Sequence, residues 1–168
     1  MTYELIYTDP PWKYGGSPAL NHSASVYYET LTDEELKAMD IPAADDCLMF
    51  MWVPSPHMKN AIEIGEHWGF KYVTVAFVWH KKVPNPGNYT MSECEMVLLF
   101  RKGKMPKKAA NNVRQFLQEC RSVHSKKPDE IRNRIATMYP HLKKIEMFAR
   151  KQSEGWDVFG NEIDKFND

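Results

Sequence analysis

Seven consecutive apolar residues, Cys47-Leu48-Met49-Phe50-Met51-Trp52-Val53, stop at Pro54-Ser55-Pro56. A half-exposed strand alternates apolar and polar side chains. An unbroken run of this length suits a strand covered on both faces, and the prolines forbid its continuation. The run is far below the roughly 18–20 residues needed to span a bilayer. Leu5–Thr8, Tyr72–Trp79, Glu95–Phe100 and Lys144–Ala149 read as further strands. Helices fall between them. Thr32-Asp33-Glu34-Glu35 is a capping-box start, His57–Trp68 carries apolar residues at helical spacing, and Lys127-Pro128-Asp129-Glu130 opens a third helix with Pro in the first turn. This alternation predicts an α/β fold, a mostly parallel sheet with helices on both faces. The 168 residues suffice for one domain, 1–168. Its loops are expected around 13–30, 80–92 and 101–113, with a turn from Gly155 to Asn161.

Formal net charge is zero, yet the charge is segregated. Residues 1–100 hold 6 Lys/Arg against 13 Asp/Glu, residues 101–151 hold 15 against 4, and residues 152–168 hold 1 against 5. A basic stretch within a neutral chain fits a polyanion or an anionic cofactor, and equally a solvated surface. Cys47, Cys94 and Cys120 form no CxxC pair and the six histidines lack ligand spacing. A disulfide framework and a metal site are therefore not expected, and a reducing cytoplasm is. The first residues, Met1-Thr2-Tyr3-Glu4-Leu5, lack the basic start of a secretory signal.

The first strand ends in Asp9-Pro10-Pro11-Trp12. A given tetrapeptide of this composition arises by chance in a chain this long on the order of once in several thousand, so it calls for a chemical explanation. Sheets of the expected kind bind ligands beyond the carboxyl ends of their strands, where this tetrapeptide sits. Asp9 is an anionic acceptor. Pro10 and Pro11 offer carbonyls but no N–H, on a stiff frame, and Trp12 offers a planar face for a base. Two acceptors on a rigid frame suit an amino group with two N–H donors, such as the exocyclic amine of adenine or cytosine. Held so, the amine is favoured as the tetrahedral nitrogen that forms when it attacks a methyl carbon. A strand-ending turn with Trp12 in the core is the plainer alternative.

With these motifs the chain resembles the S-adenosylmethionine-dependent adenine-N6 methyltransferases typified by the catalytic subunit of the eukaryotic mRNA adenosine methyltransferase, and their compact bacterial and phage relatives. The likeness runs from Tyr7-Thr8-Asp9-Pro10-Pro11-Trp12 to Gly160-Asn161-Glu162, through Tyr28-Glu29-Thr30-Leu31, Phe77-Val78-Trp79-His80-Lys81, Ser125-Lys126-Lys127-Pro128 and Lys144-Ile145-Glu146-Met147-Phe148-Ala149-Arg150. The resemblance implies a Rossmann-like domain with permuted motif order, the catalytic tetrapeptide near the N-terminus and the donor-binding motifs near the C-terminus. It implies that Asp9, Pro10, Pro11 and Trp12 hold the target amine, with Asp9 next to the methyl donor. Lys127 would pair with the donor's carboxylate, and Phe148 and Arg150 would pack against it and contact its ribose. Asn161 would lie at the nucleoside with Glu162 beside it, and Gln152 would stand where some relatives carry a ribose-binding histidine. Longer relatives have an acidic segment upstream of the tetrapeptide. Only eight residues precede Asp9 here, so the donor pocket is expected to lack one wall or to borrow it from a partner chain.

An adenine inside a duplex must leave the stack to present its amine. Tyr14 and Tyr28 in the first loop, and Lys81, Lys82 and Tyr89 in the second, are the candidates for stacking and phosphate contact. Arg101, Lys102 and Lys104 would follow the backbone beyond. The expected partner is DNA, with RNA as the alternative, no membrane, and a homodimer or partner chain if the binding surface is to be completed. A catalytically silent nucleic-acid-binding subunit is the competing reading from another class.

Overall fold

The first strand, β1 (Tyr3–Thr8), is flanked in parallel by β2 (Ala43–Val53) on one side and β6 (Lys144–Met147) on the other. They belong to a seven-stranded sheet of order β5-β3-β4-β2-β1-β6-β7, completed by β3 (Lys71–Asn85), β4 (Ser92–Lys102), β5 (Phe116–Gln118) and β7 (Asp157–Phe159). The helices are α1 (Asp33–Lys37), α2 (Met58–His67), entered through a 3-10 turn at Ser55–His57, and α3 (Asp129–Met138). This computed structural model describes residues 1–13, 30–87, 89–123 and 126–160. Among the described residues β4 alone runs antiparallel to both of its neighbours, so six of these seven strands point the same way.

The apolar run of β2 serves two cores at once. Cys47, Met49, Met51 and Val53 face α1 and α2, where they meet Leu36, Ala61 and Ile64. Leu48, Phe50 and Trp52 face the other way, onto Ile131 and Ile135 of α3. All seven are essentially without solvent contact. A continuous apolar run is thus the period-2 pattern of a strand with both faces covered. The predicted capping box at α1 is present, with the Thr32 hydroxyl accepting from the Glu35 N–H and the Glu35 carboxylate accepting from the Thr32 N–H.

Several boundaries differ from the sequence reading. The loop expected over 80–92 is mostly ladder, since β3 continues to Asn85 and β4 resumes at Ser92. A bulge makes this compatible with Lys82 and Pro84: five steps along β3, from His80 to Asn85, oppose two along β4, from Cys94 to Ser92, and Lys82 takes φ of 64°. The expected turn from Gly155 contains β7, and β5 was not foreseen. Each is three residues long, too short for any periodicity to show. Residues 103–115 are irregular as expected, tied to the helical face by the Ala109 N–H donating to the Met138 carbonyl. The loop 13–30 lies, apart from its ends, outside the described residues.

Helix α2 approaches the sheet at Gly65. A Cβ added there would sit 2.4–2.9 Å from the Phe100 ring, which is fully buried and has nowhere to retreat. Overpacking of this kind costs about 1–3 kcal/mol and outweighs the roughly 1 kcal/mol that alanine gains over glycine in a helix. Gly65→Ala is therefore expected to lower the urea midpoint of unfolding. An unchanged or higher midpoint would show that the helix lifts off the sheet at no cost.

Candidate active site

The chain leaves β1 for β2 on one side and returns to its other side as β6, so a crevice opens beyond the carboxyl end of β1. Asp9 is the first residue past that strand. With Tyr7, Trp52, Lys127, Glu146, Phe148 and Arg150 it lines an open cleft of about 500 Å³, a figure that includes the solvent at its mouth. The sequence assembles this cleft from strand ends. Asp9 follows β1, Trp52 is the last residue but one of β2, Lys127 precedes α3, and Phe148 and Arg150 follow β6.

Lys127 is fixed between two carboxylates. Its ammonium donates to Glu95 Oε1 at 2.8 Å, stands 3.9 Å from Asp9 Oδ2, and lies 5.6 Å from the centre of the Trp52 ring. Lys81 approaches the other oxygen of Glu95 at 3.7 Å. Four alternating charges thus join β3, β4, the loop before α3 and the end of β1. Burial raises the Asp9 pKa, with Lys127 opposing, Glu95 adding to the rise and Arg150 opposing. At Glu95, burial also pushes upward, but Lys127 and Lys81 outweigh it and hold the carboxyl below its ordinary value.

A second ionic group forms the opposite wall. Arg132, buried in α3, donates to Glu146 Oε2 at 3.2 Å and to Asp129 Oδ1 at 2.9 Å, and Lys151 donates to Asp129 Oδ2 at 2.7 Å. Burial raises the Glu146 pKa against the opposing charge of Arg132. Above this wall the backbone turns sharply at Phe148, whose φ is 59°. A left-handed conformation costs a non-glycine residue about 1 kcal/mol or more, so the neighbours must hold it. Gly160 allows them to: the Ala149 N–H donates to the Phe159 carbonyl, and a Cβ at Gly160 would lie 2.5 Å from the Ala149 carbonyl oxygen.

Of the residues singled out in the sequence, Asp9, Lys127, Phe148 and Arg150 converge on the cleft. Gln152 does not line it, and its amide donates to the Trp156 carbonyl. Trp12 is 3% exposed. Its ring stacks on His57 at 5.4 Å, and its Nε1 donates to the Trp52 carbonyl. It supports the tetrapeptide from within the α1/α2 core rather than offering an open stacking face. The Pro10 carbonyl accepts from the Trp12 N–H and the Pro11 carbonyl from the Leu31 N–H, which leaves each one further lone pair. Lys81 is 7% exposed and paired with Glu95, so it is not a surface cation, whereas Lys82 and Tyr89 are exposed. Arg101, Lys102 and Lys104 lie at the edge of the sheet away from the cleft. Lys102 pairs with Cys47, six residues and roughly 20 Å along β2 from its carboxyl end, and Asp46 accepts from the Lys104 N–H. The antiparallel course of β4 puts them there. Tyr14, Tyr28, Asn161 and Glu162 lie outside the described residues.

Glu95, Arg132 and Glu146 were not singled out as site residues. The only sequence signal for them is a charged side chain inside a strand or an apolar helix face, which is expensive unless paired. Cys47 sits at the far edge with its thiol pushed up to about 12 by burial, which makes it a core side chain rather than a nucleophile.

The linked charges can be tested by titration. Glu95 raises the Asp9 pKa, so Glu95→Gln is expected to move the Asp9 carboxyl titration, followed by NMR, to lower pH. A midpoint that stays or rises would show that Glu95 does not act on Asp9. Stability has its own sign. The folded-state pKa of Glu95 lies below its unfolded value, so its contribution is present above the ordinary carboxylate pKa and is lost as pH falls through the depressed value. The variant lacks that acid-side loss.

Comparison with known proteins places this geometry. Residues 3–162 match the family model described as MT-A70. The Type II methyltransferase M.MunI of Mycoplasma sp is 48% identical over 181 residues, covering 96% of this chain and 78% of that protein. The human N(6)-adenosine-methyltransferase catalytic subunit METTL3 is 28% identical over 174 residues, and the Arabidopsis thaliana N(6)-adenosine-methyltransferase MT-A70-like protein is 27% identical over 173. This chain spans only 28% and 24% of those two proteins. A family match over nearly the whole length, joined to a close relative covered over most of its own, shows that the chain belongs to the MT-A70 family of methyltransferases.

Proposed function

We propose that this chain transfers the methyl group of S-adenosylmethionine to the N6 amine of adenine in DNA, acting on a flipped or single-stranded base. The observation that carries the reading is the placement of Asp9 in one cleft with Lys127, Phe148 and Arg150. The identity to a type II methyltransferase, 48% against 28% or less for the N(6)-adenosine methyltransferases, favours DNA over RNA.

The residues of the cleft fit the donor's chemistry. When bound, S-adenosylmethionine supplies an electrophilic methyl group on a sulfonium. Its carboxylate needs a cation, for which Lys127 is the candidate, and its adenosine needs a flat apolar wall and polar donors, for which Phe148 and Arg150 are candidates. Asp9 accepts a hydrogen bond from the target amine, and a free lone pair on a proline carbonyl accepts the other. Two acceptors favour the nitrogen as it becomes tetrahedral, and the buried setting strengthens both interactions. Burial also makes Asp9 more basic than an ordinary carboxylate, which suits an acceptor facing an amine that gains positive charge. Lys127 and Arg150 oppose that rise.

The test uses methyl-deuterated S-adenosylmethionine with matched pools of unmethylated duplex DNA, single-stranded DNA and RNA, each digested to nucleosides and analysed by mass spectrometry. Labelled N6-methyladenine from DNA is expected. Label only in RNA would transfer the reaction to the other substrate class, and label on cytosine would overturn the base assignment. Asp9→Ala is expected to reduce turnover at least 100-fold while leaving the folded protein intact. A silent binding subunit would show no label in any pool and no loss of nucleic-acid binding in the variant.

A further inference from the structure

The β3–β4 ribbon projects from the catalytic edge of the sheet. Val53, at the carboxyl end of β2, pairs with Met96, so everything in β4 before Met96 and everything in β3 after Val78 extends past the strand ends that hold the cleft. The ribbon is firmly rooted. Trp79 is buried and donates to the Glu119 carbonyl, and Glu95 is joined through Lys127 to Asp9. Its tip is the opposite. Tyr89 is 101% exposed, and Val83 and Met91 on the same ribbon are more than half exposed. The bulge with Lys82 at φ of 64° lies between root and tip, where bulges re-aim side chains beside active sites.

A base that leaves a duplex to reach a recessed carboxylate opens a gap in the stack, and that gap costs a few kcal/mol unless something fills it. The filler must stand at the same edge as the carboxylate, at a fixed distance from it, and end in a planar or apolar side chain that the protein's own core does not use. The ribbon meets each condition. Ser92 is three residues, about 10 Å, beyond Glu95, and Tyr89 lies three residues further into the turn. From this geometry we propose that Tyr89 enters the duplex at the position vacated by the target adenine, with Lys82, exposed on the same ribbon, for a phosphate. This rests on the adenine-methylation reading above and adds to it that the substrate is duplex DNA, opened by this side chain.

Wild type, Tyr89→Ala and Tyr89→Phe are compared on unmethylated genomic DNA in its duplex form and on the same DNA heat-denatured. The readout is the initial rate of N6-methyladenine formation, with sedimentation velocity on each protein. The ratio of duplex to single-strand rate is expected to fall roughly tenfold or more in Tyr89→Ala, the loss of one aromatic–base stack, and to be kept in Tyr89→Phe. An unchanged ratio in Tyr89→Ala, equal losses in both variants, or a loss that accompanies a change of oligomeric state would overturn the proposal. The last would instead make the tip a protein interface. Wild-type activity confined to denatured DNA would overturn this inference and leave the proposed function standing. A wild type inactive on both forms of DNA would overturn the two together.

Discussion

Burial of β1 and β2 on both faces is the constraint from which the rest follows. The stretches Leu5–Tyr7 and Cys47–Val53, which give every side chain to one core or the other, have no place for a charge, because an unpaired buried charge costs several kcal/mol. Polar chemistry is pushed to the strand ends. The carboxyl ends of β1, β2 and β6 converge where the sheet order reverses, and there the charges can be both desolvated and paired. Asp9, Glu95 and Lys127 are paired there with one another, and Lys81 and Arg150 add to the balance of charge.

The same physics explains which features the sequence disclosed. β2 was legible because seven apolar residues in a row have only one economical fate, and α1 because a capping box is a local hydrogen-bond pattern. Asp9 stood out through its two prolines. Lys127, Phe148 and Arg150 were suggested by family resemblance and meet in one cleft, although Lys127 by itself could have been any solvated lysine at a helix start. The reversal of β4 was invisible, since a two-sided strand reads alike in either direction. That single ambiguity left the edge of Arg101, Lys102 and Lys104 open, because their position depends on which way β4 runs, and they lie away from the cleft. Glu95 and Arg132 were hidden for a related reason: a buried charge declares itself only once its partner from another element is known.

Trp12 and Lys81 teach the complementary point. Both residue types suit nucleic-acid contact, yet the indole of Trp12 packs on His57 and the ammonium of Lys81 is taken up by Glu95. Neither lines the cleft: Trp12 donates to the Trp52 carbonyl behind it, and Lys81 is linked to it through Glu95 and Lys127. Side-chain chemistry narrows what a residue can do, while burial decides whether it does so directly or by holding another in place.

The sheet also ends on its shortest strands. β5 and β7, three residues each, occupy its two margins, and beside β5 the Gln115 amide donates to the Val75 carbonyl of β3. An open margin of a sheet is a template for another chain, and brief terminal strands leave little for an intruder to extend. A fold whose interior is this rich in β-prone apolar sequence carries a standing risk of sheet-to-sheet association during synthesis. The abbreviated margins reduce that risk at the places where a growing aggregate would begin.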